Sequence, residues 1–153
     1  MKILKKVLLL FFLLVLLSSC DKEEVQDEVF LSCKINGVAY KVTGETATYA
    51  TLKTADTYWI YGIEATTGKE MYVRVGVNQG VGTVQMKGTT QASFVDADKT
   101  NYHTNFNSGS GEITLTEKTA TTLKGKFSFI ANTFSAPIKK ATVTDGEFNV
   151  LIK

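Results

Sequence analysis

The chain has 153 residues, of which 44% are hydrophobic and 21% charged, with a formal net charge of +2. That length bounds one domain, and a domain of this size buries roughly two-thirds of its unfolded surface without a disulfide. The charge is scattered rather than blocked, which excludes a nucleic-acid footprint, and a single histidine excludes a multi-histidine metal centre.

Met1 to Lys6 is short and basic, and Val7 to Leu17 is an unbroken apolar run of 11 residues. A basic start followed by such a run predicts a secretory signal. A membrane-spanning helix needs about 20 apolar residues, and the run is too short for one. Leu17-Ser18-Ser19-Cys20 then resembles the bacterial lipobox, in which a leucine, two small residues and a cysteine mark the processing boundary. The resemblance implies that residues 1–19 are cleaved and that Cys20 carries lipid as the first mature residue. One acyl chain anchors a protein only marginally, and a lipobox cysteine receives several.

Asp21 to Glu28 holds five acids and one lysine, a net charge of −4. With nothing to bury, residues 20–28 are expected to form a solvated tether reaching at most about 27 Å beyond Cys20. Lys22-Glu23-Glu24 resembles the lysine-plus-acids export signal of surface-exposed Bacteroidota lipoproteins. It implies display on the outside of the bacterial outer membrane rather than a periplasm-facing domain. Loss of Lys2, Lys5 and Lys6 with the leader changes the net charge from +2 to −1.

Residues 29–153 read as one β domain. Period-two alternation recurs and no long 3.6-residue period is present. Val29 to Ile35 and Val38 to Thr43 flank Asn36-Gly37, the pair that a type I′ hairpin turn favours. Thr46–Lys53 and Thr57–Ala65 follow. In the latter, Trp59, Tyr61 and Ile63 alternate with Tyr58, Ile60 and Gly62, so both faces are apolar and the strand is expected to be central. Glu70–Val77 places Met71, Val73, Val75 and Val77 inward. Thr83–Met86 and Ala92–Val95 are short candidates, and Tyr102–Phe106 is another within a polar, turn-rich stretch. Glu112–Glu117, Thr122–Ala131, Ile138–Thr144 and Glu147–Ile152 complete the series. Asp145-Gly146 reads equally as a turn or as a bulge inside one long strand. The expectation is an all-β antiparallel meander of about eight to ten strands, closed as a sandwich or barrel. A membrane-spanning barrel is disfavoured because the second strand face is mostly Thr, Lys, Ser and Glu.

Phe30…Ile35-Asn36-Gly37…Tyr40, Ser110-Gly111-Glu112-Ile113, Gly125-Lys126-Phe127-Ser128-Phe129 and Val143-Thr144-Asp145-Gly146-Glu147-Phe148 resemble, in this order, a domain-of-unknown-function family of Bacteroidota lipoproteins. The resemblance implies a β-rich lipoprotein domain and brings no catalytic residues.

Chemistry-bearing residues are few. With Cys20 assigned to lipid, Cys33 has no disulfide partner, and its alternation with Leu31 and Ile35 predicts a buried, inert thiol. His103 is read as an exposed loop histidine. Asp96-Ala97-Asp98 begins like a calcium loop, but the glycine and glutamate that an EF-hand needs are replaced by Asn101 and Asn107. Gly80-Val81-Gly82 lacks the lysine and helix of a phosphate loop. Neither a metal nor a cofactor is expected. The binding candidates are Tyr58, Trp59, Tyr61 and Tyr72, whose rings could stack on a sugar or seat an apolar ligand if one set is exposed. The expected function is that of a non-enzymatic envelope lipoprotein that binds a partner or serves as a structural accessory. The alternative is a ligand-binding β-barrel for a small apolar molecule or glycan, and a hydrolase is least supported. The expected partners are the membrane, through Cys20, and a glycan, a small apolar ligand or an envelope protein.

Overall fold

A computed structural model describes residues 28–54 and 56–153. The expected signal peptide (residues 1–19), the expected lipidation site Cys20, most of the expected tether and Lys22, Glu23 and Glu24 lie outside the described residues. The described chain is all-β, without a helix, and its eleven strands pair antiparallel. They are β1 (Phe30–Ile35), β2 (Val38–Thr43), β3 (Thr48–Thr54), β4 (Thr57–Glu64), β5 (Lys69–Gly76), β6 (Gly82–Gln85), β7 (Gln91–Val95), β8 (Asn101–His103), β9 (Ser110–Lys118), β10 (Thr122–Asn132) and β11 (Lys140–Leu151). β6 and β8, only four and three residues long, fall at the short candidates Thr83–Met86 and Tyr102–Phe106, and with them the count is eleven against the expected eight to ten.

Asn36 and Gly37 join β1 to β2 with φ of 51° and 83°, the positive values that a type I′ turn demands. The main path of the sheet runs β2-β1-β11-β10-β8-β7-β5-β4-β3. β10 is the branch point. One edge pairs with β11; the other pairs with β9 from Leu123 to Ile130 and then with His103 of β8 through Asn132. β9 carries β6 on its far side. One end of the path, β3, meets the residues just after β11 through an isolated parallel bridge between Ala50 and Ile152, and the Lys153 N–H donates to the Ala50 carbonyl at 2.8 Å. The sheet is therefore a nearly closed barrel.

Asp145-Gly146 is a bulge inside β11. Ser32 pairs with Glu147 and Lys34 with Thr144, so two residues of β11 stand opposite one of β1. The same offset recurs against β10 between Phe127 and Phe129. Asp145 takes φ 53°. Gly146 is required by close approach, since a Cβ there would lie 2.4 Å from the Phe127 carbonyl oxygen. β11 begins at Lys140 rather than at Ile138. Residues 133–139 instead form a loop closed by the Thr133 N–H to the Lys139 carbonyl at 3.0 Å, with Phe134 75% exposed at its surface.

The inward side chains fill the barrel. Leu31, Ile60, Met71, Val73, Val75, Ile113, Leu123 and Val150 are fully buried. Phe127 packs against Phe129 and Phe148 with ring centroids 6.1 and 6.3 Å away. Cys33 lies in this core at 5% exposure, and burial pushes its thiol up to about 12. Across the interior, the Tyr40 hydroxyl on β2 donates to the Gly62 carbonyl on β4 at 2.7 Å.

Candidate functional site

Alternation divides the aromatic residues of β4 and β5 between two faces. Ile60, Met71, Val73 and Val75 point into the core, so Trp59, Tyr61, Tyr72 and Arg74 stand on the outer face. Tyr58 shares the inner side with Ile60, packs against the core and has the Lys118 ammonium 5.6 Å from its ring. Of the four candidate rings, Trp59, Tyr61 and Tyr72 are thus brought together and Tyr58 is separated from them.

The pairing register arranges the outer face as a transverse row. Tyr49, Tyr61, Tyr72, Ser93 and His103 are successive direct partners across β3, β4, β5, β7 and β8. Tyr61 stacks on Tyr49 at 5.0 Å and on Trp59 at 6.2 Å, and meets Tyr72 edge-on at 5.2 Å. These neighbours cover Tyr61, which is only 7% exposed despite facing outward. Four strand spacings make the row about 19 Å long.

Ser93 is the one small side chain in that row. Between Tyr72 and His103 it leaves a groove of about 340 Å³, lined also by Trp59, Arg74 and Asn101. The chain has one tryptophan, one arginine and one histidine, and all three line this groove. Arg74 is the direct partner of Trp59, with its guanidinium carbon 4.7 Å from the ring centre. Burial lowers the Arg74 pKa, yet a guanidinium remains charged at neutral pH.

His103 is half-buried on β8 rather than an exposed loop residue. Burial first, and the Arg74 charge second, lower its pKa. Its Nδ1 accepts the Asn105 N–H at 3.1 Å, so the neutral ring carries its proton on Nε2. Phe106 and then Phe134 extend the aromatic contacts beyond His103, at 5.0 and 5.3 Å. At the other end of the groove mouth, the Tyr72 hydroxyl donates to Glu70, whose carboxylate also pairs with Lys99 at 3.8 Å.

The arrangement is concave and mostly apolar, with a few convergent polar groups, the composition of a small-ligand site. Flat rings offer faces to the C–H side of a sugar, and the guanidinium, the Nε2–H and the Asn101 amide offer hydrogen bonds to its polar rim. The Asp96–Asn101 segment is a turn whose carboxylates bind its own backbone: Asp96 accepts the Ala97 N–H at 2.8 Å and Asp98 the Thr100 N–H at 2.9 Å. Among the described residues, no group of three or more His, Cys, Asp or Glu side chains is placed to hold a metal.

The aromatic sequence signal found Trp59, Tyr61 and Tyr72 but missed Arg74, Ser93, Asn101 and a groove role for His103. Alternation put Arg74 on the Tyr72 face. Nothing local announced that β7 and β8 lie beside it.

A family model described as a domain of unknown function, DUF6252, matches residues 28–151. No curated protein and no solved structure matches the chain.

Proposed function

From a chain that belongs to the DUF6252 family, we propose a lipid-anchored, non-enzymatic domain of the bacterial envelope that binds a saccharide on its outer aromatic face. The observation that carries the reading is the groove between Trp59, Tyr72 and His103, with Arg74 at its wall. The barrel interior is occupied by Ile60, Met71, Val73 and the other core side chains, so the groove outside favours the saccharide over an apolar molecule held within. The rings are exposed enough to stack and fixed enough to lose little entropy on doing so.

The anchor belongs to the same reading. Cys20 carries the lipid, residues 20–28 form the acidic leash, and Lys22-Glu23-Glu24 directs the domain to the cell surface. This part rests on the leader and lipobox-like residues alone. At the domain's start, Lys41 pairs with Glu28 at 3.2 Å and the Asn149 amide donates to the Glu28 carbonyl at 2.9 Å, so the leash meets a fixed point.

Retention of the full-length protein on a panel of immobilised polysaccharides tests the binding. At least one polymer is expected to retain the wild type and to release Trp59→Ala, while Tyr58→Phe is retained normally. Equal retention of wild type and Trp59→Ala on every polymer would remove the groove from the account. Membrane fractionation of Cys20→Ala tests the anchor, and an unchanged membrane share would end that part.

A further inference from the structure

Resting on the saccharide reading, we propose that the ligand is an acidic saccharide whose carboxylate is received by Arg74. Among the described lysines, Lys34, Lys41, Lys99, Lys124 and Lys153 each have a carboxylate within 4 Å, while Lys87, Lys126, Lys139 and Lys140 are exposed to solvent. The Arg74 side chain has no ion-pair or hydrogen-bond partner among the described residues and lies over the face of Trp59. It is half-buried on the outer face and lines the groove beside Trp59, Tyr72 and His103. A guanidinium presents five N–H donors in a planar fork that matches a carboxylate through two parallel bonds. Contact with the Trp59 face holds the guanidinium at the groove wall and leaves its N–H donors without a hydrogen-bond partner among the described residues.

The neighbouring charges agree with an incoming anion. Glu70 is the acid on the same strand face. It lies four residues from Arg74, about 13 Å along the strand, and its carboxylate is engaged by Tyr72 and Lys99. No Asp or Glu lines the groove itself. His103, neutral with its proton on Nε2, adds a second donor on the opposite wall. The rings flanking Arg74 then select among anions. Inorganic anions and acidic peptides have no flat C–H face to lay on Trp59 and Tyr72, whereas a uronic acid carries such a face and a carboxylate on one ring. The row's length of about 19 Å exceeds a single sugar ring, which favours a uronate within a chain.

The test uses the full-length protein and four polymers: polygalacturonate, alginate, hyaluronan and glucuronoxylan. Each is used as it stands and after chemical reduction of its carboxylates to alcohols. Affinity electrophoresis and calorimetry compare the wild type with Arg74→Gln, Arg74→Lys, Trp59→Ala and Lys126→Gln, an exposed lysine on β10 away from the groove. At least one acidic polymer is expected to bind, with its reduced form at least tenfold weaker. Arg74→Gln should lose tenfold or more on the acidic form and little on the reduced one. Arg74→Lys should recover only part of the loss, because a point charge lacks the fork. Lys126→Gln should match the wild type, and a loss as large as that of Arg74→Gln would mean bulk charge attraction and overturn the assignment. Equal binding of acidic and reduced forms, with Trp59→Ala losing both, would overturn the carboxylate while leaving the saccharide reading in place. Failure of all eight preparations to bind would remove both. Thermal melting and circular dichroism of each variant separate lost binding from lost fold.

Discussion

The Arg74 guanidinium carbon stands 4.7 Å from the centre of the Trp59 ring, and the two residues are direct cross-strand partners. A cation over a tryptophan face is worth about 0.5–2 kcal/mol depending on desolvation. The pair therefore stiffens one wall of the groove before any ligand arrives. Trp59→Ala and Arg74→Ala are each expected to lower stability by about 1 kcal/mol, with the double variant less destabilised than the sum. Urea denaturation of the four proteins measures the coupling; strict additivity would show that the ring and the guanidinium do not interact.

Ser93 makes the groove by being small. Ser93→Phe on the outer face between Tyr72 and His103 should fill it. The expected outcome is loss of polysaccharide retention with a thermal midpoint within a few degrees of wild type. Retention by a folded Ser93→Phe protein would place the ligand elsewhere.

The Tyr40 hydroxyl ties β2 to β4 through the Gly62 carbonyl at 2.7 Å inside the barrel. Tyr40→Phe leaves that carbonyl buried without this donor. A cost of about 1–3 kcal/mol is expected from the unsatisfied group. A cost near zero by urea denaturation would mean that another donor replaces the hydroxyl.

Burial raises Cys33 from an ordinary 9.0 to about 12. The native fold therefore holds a proton that the unfolded chain releases at lower pH. That contribution to stability is full below about 9 and is lost as pH rises toward 12. Tyr40 acts in the same direction, raised by burial first and then by the charges of Cys33, Glu64 and Glu70. The native thiol should resist an aromatic disulfide reagent at pH 8 and react fully in denaturant. Cys33→Ala should soften the loss of stability above pH 9. Rapid labelling of the native protein at pH 8 would contradict the burial.

The bulge at Asp145-Gly146 gives a paired test of backbone geometry. Gly146→Ala sets a Cβ 2.4 Å from the Phe127 carbonyl oxygen, and β11 must shift. A loss of about 1–3 kcal/mol is expected from such overpacking. Asp145→Gly relieves a positive φ of 53° and gives up only an exposed ion pair to Lys34, so it should be near neutral. Comparable destabilisation by both would show that conformation, rather than space, governs the site.

Much of the barrel was legible because its signals are local. Asn36-Gly37 names a turn by its own backbone needs, and Met71-Val73-Val75 names an inward face by alternation. Asp145-Gly146 was ambiguous because the same dipeptide makes a turn or a bulge; only the neighbours Ser32 and Phe127 decide between them. The groove was less legible for the same reason. Tyr72 meets Ser93 because β5 pairs with β7 and passes over β6, and His103 arrives because β8 pairs with β7 and is held on its other side by Asn132 of β10. Those pairings link distant positions, which no local pattern encodes. Tyr58 shows the limit from the other side: with both faces of β4 apolar, alternation separated it from Trp59 without saying which face was outside.

The most direct test of the saccharide site uses Trp59 as its own reporter. It is the chain's only tryptophan, so emission excited at 295 nm reads the groove wall. Titration with a polysaccharide that retains the protein should change that emission saturably, with a midpoint matching calorimetry and with loss of the change in Ser93→Phe. Calorimetric binding of the same polymer without any change in Trp59 emission would contradict the account.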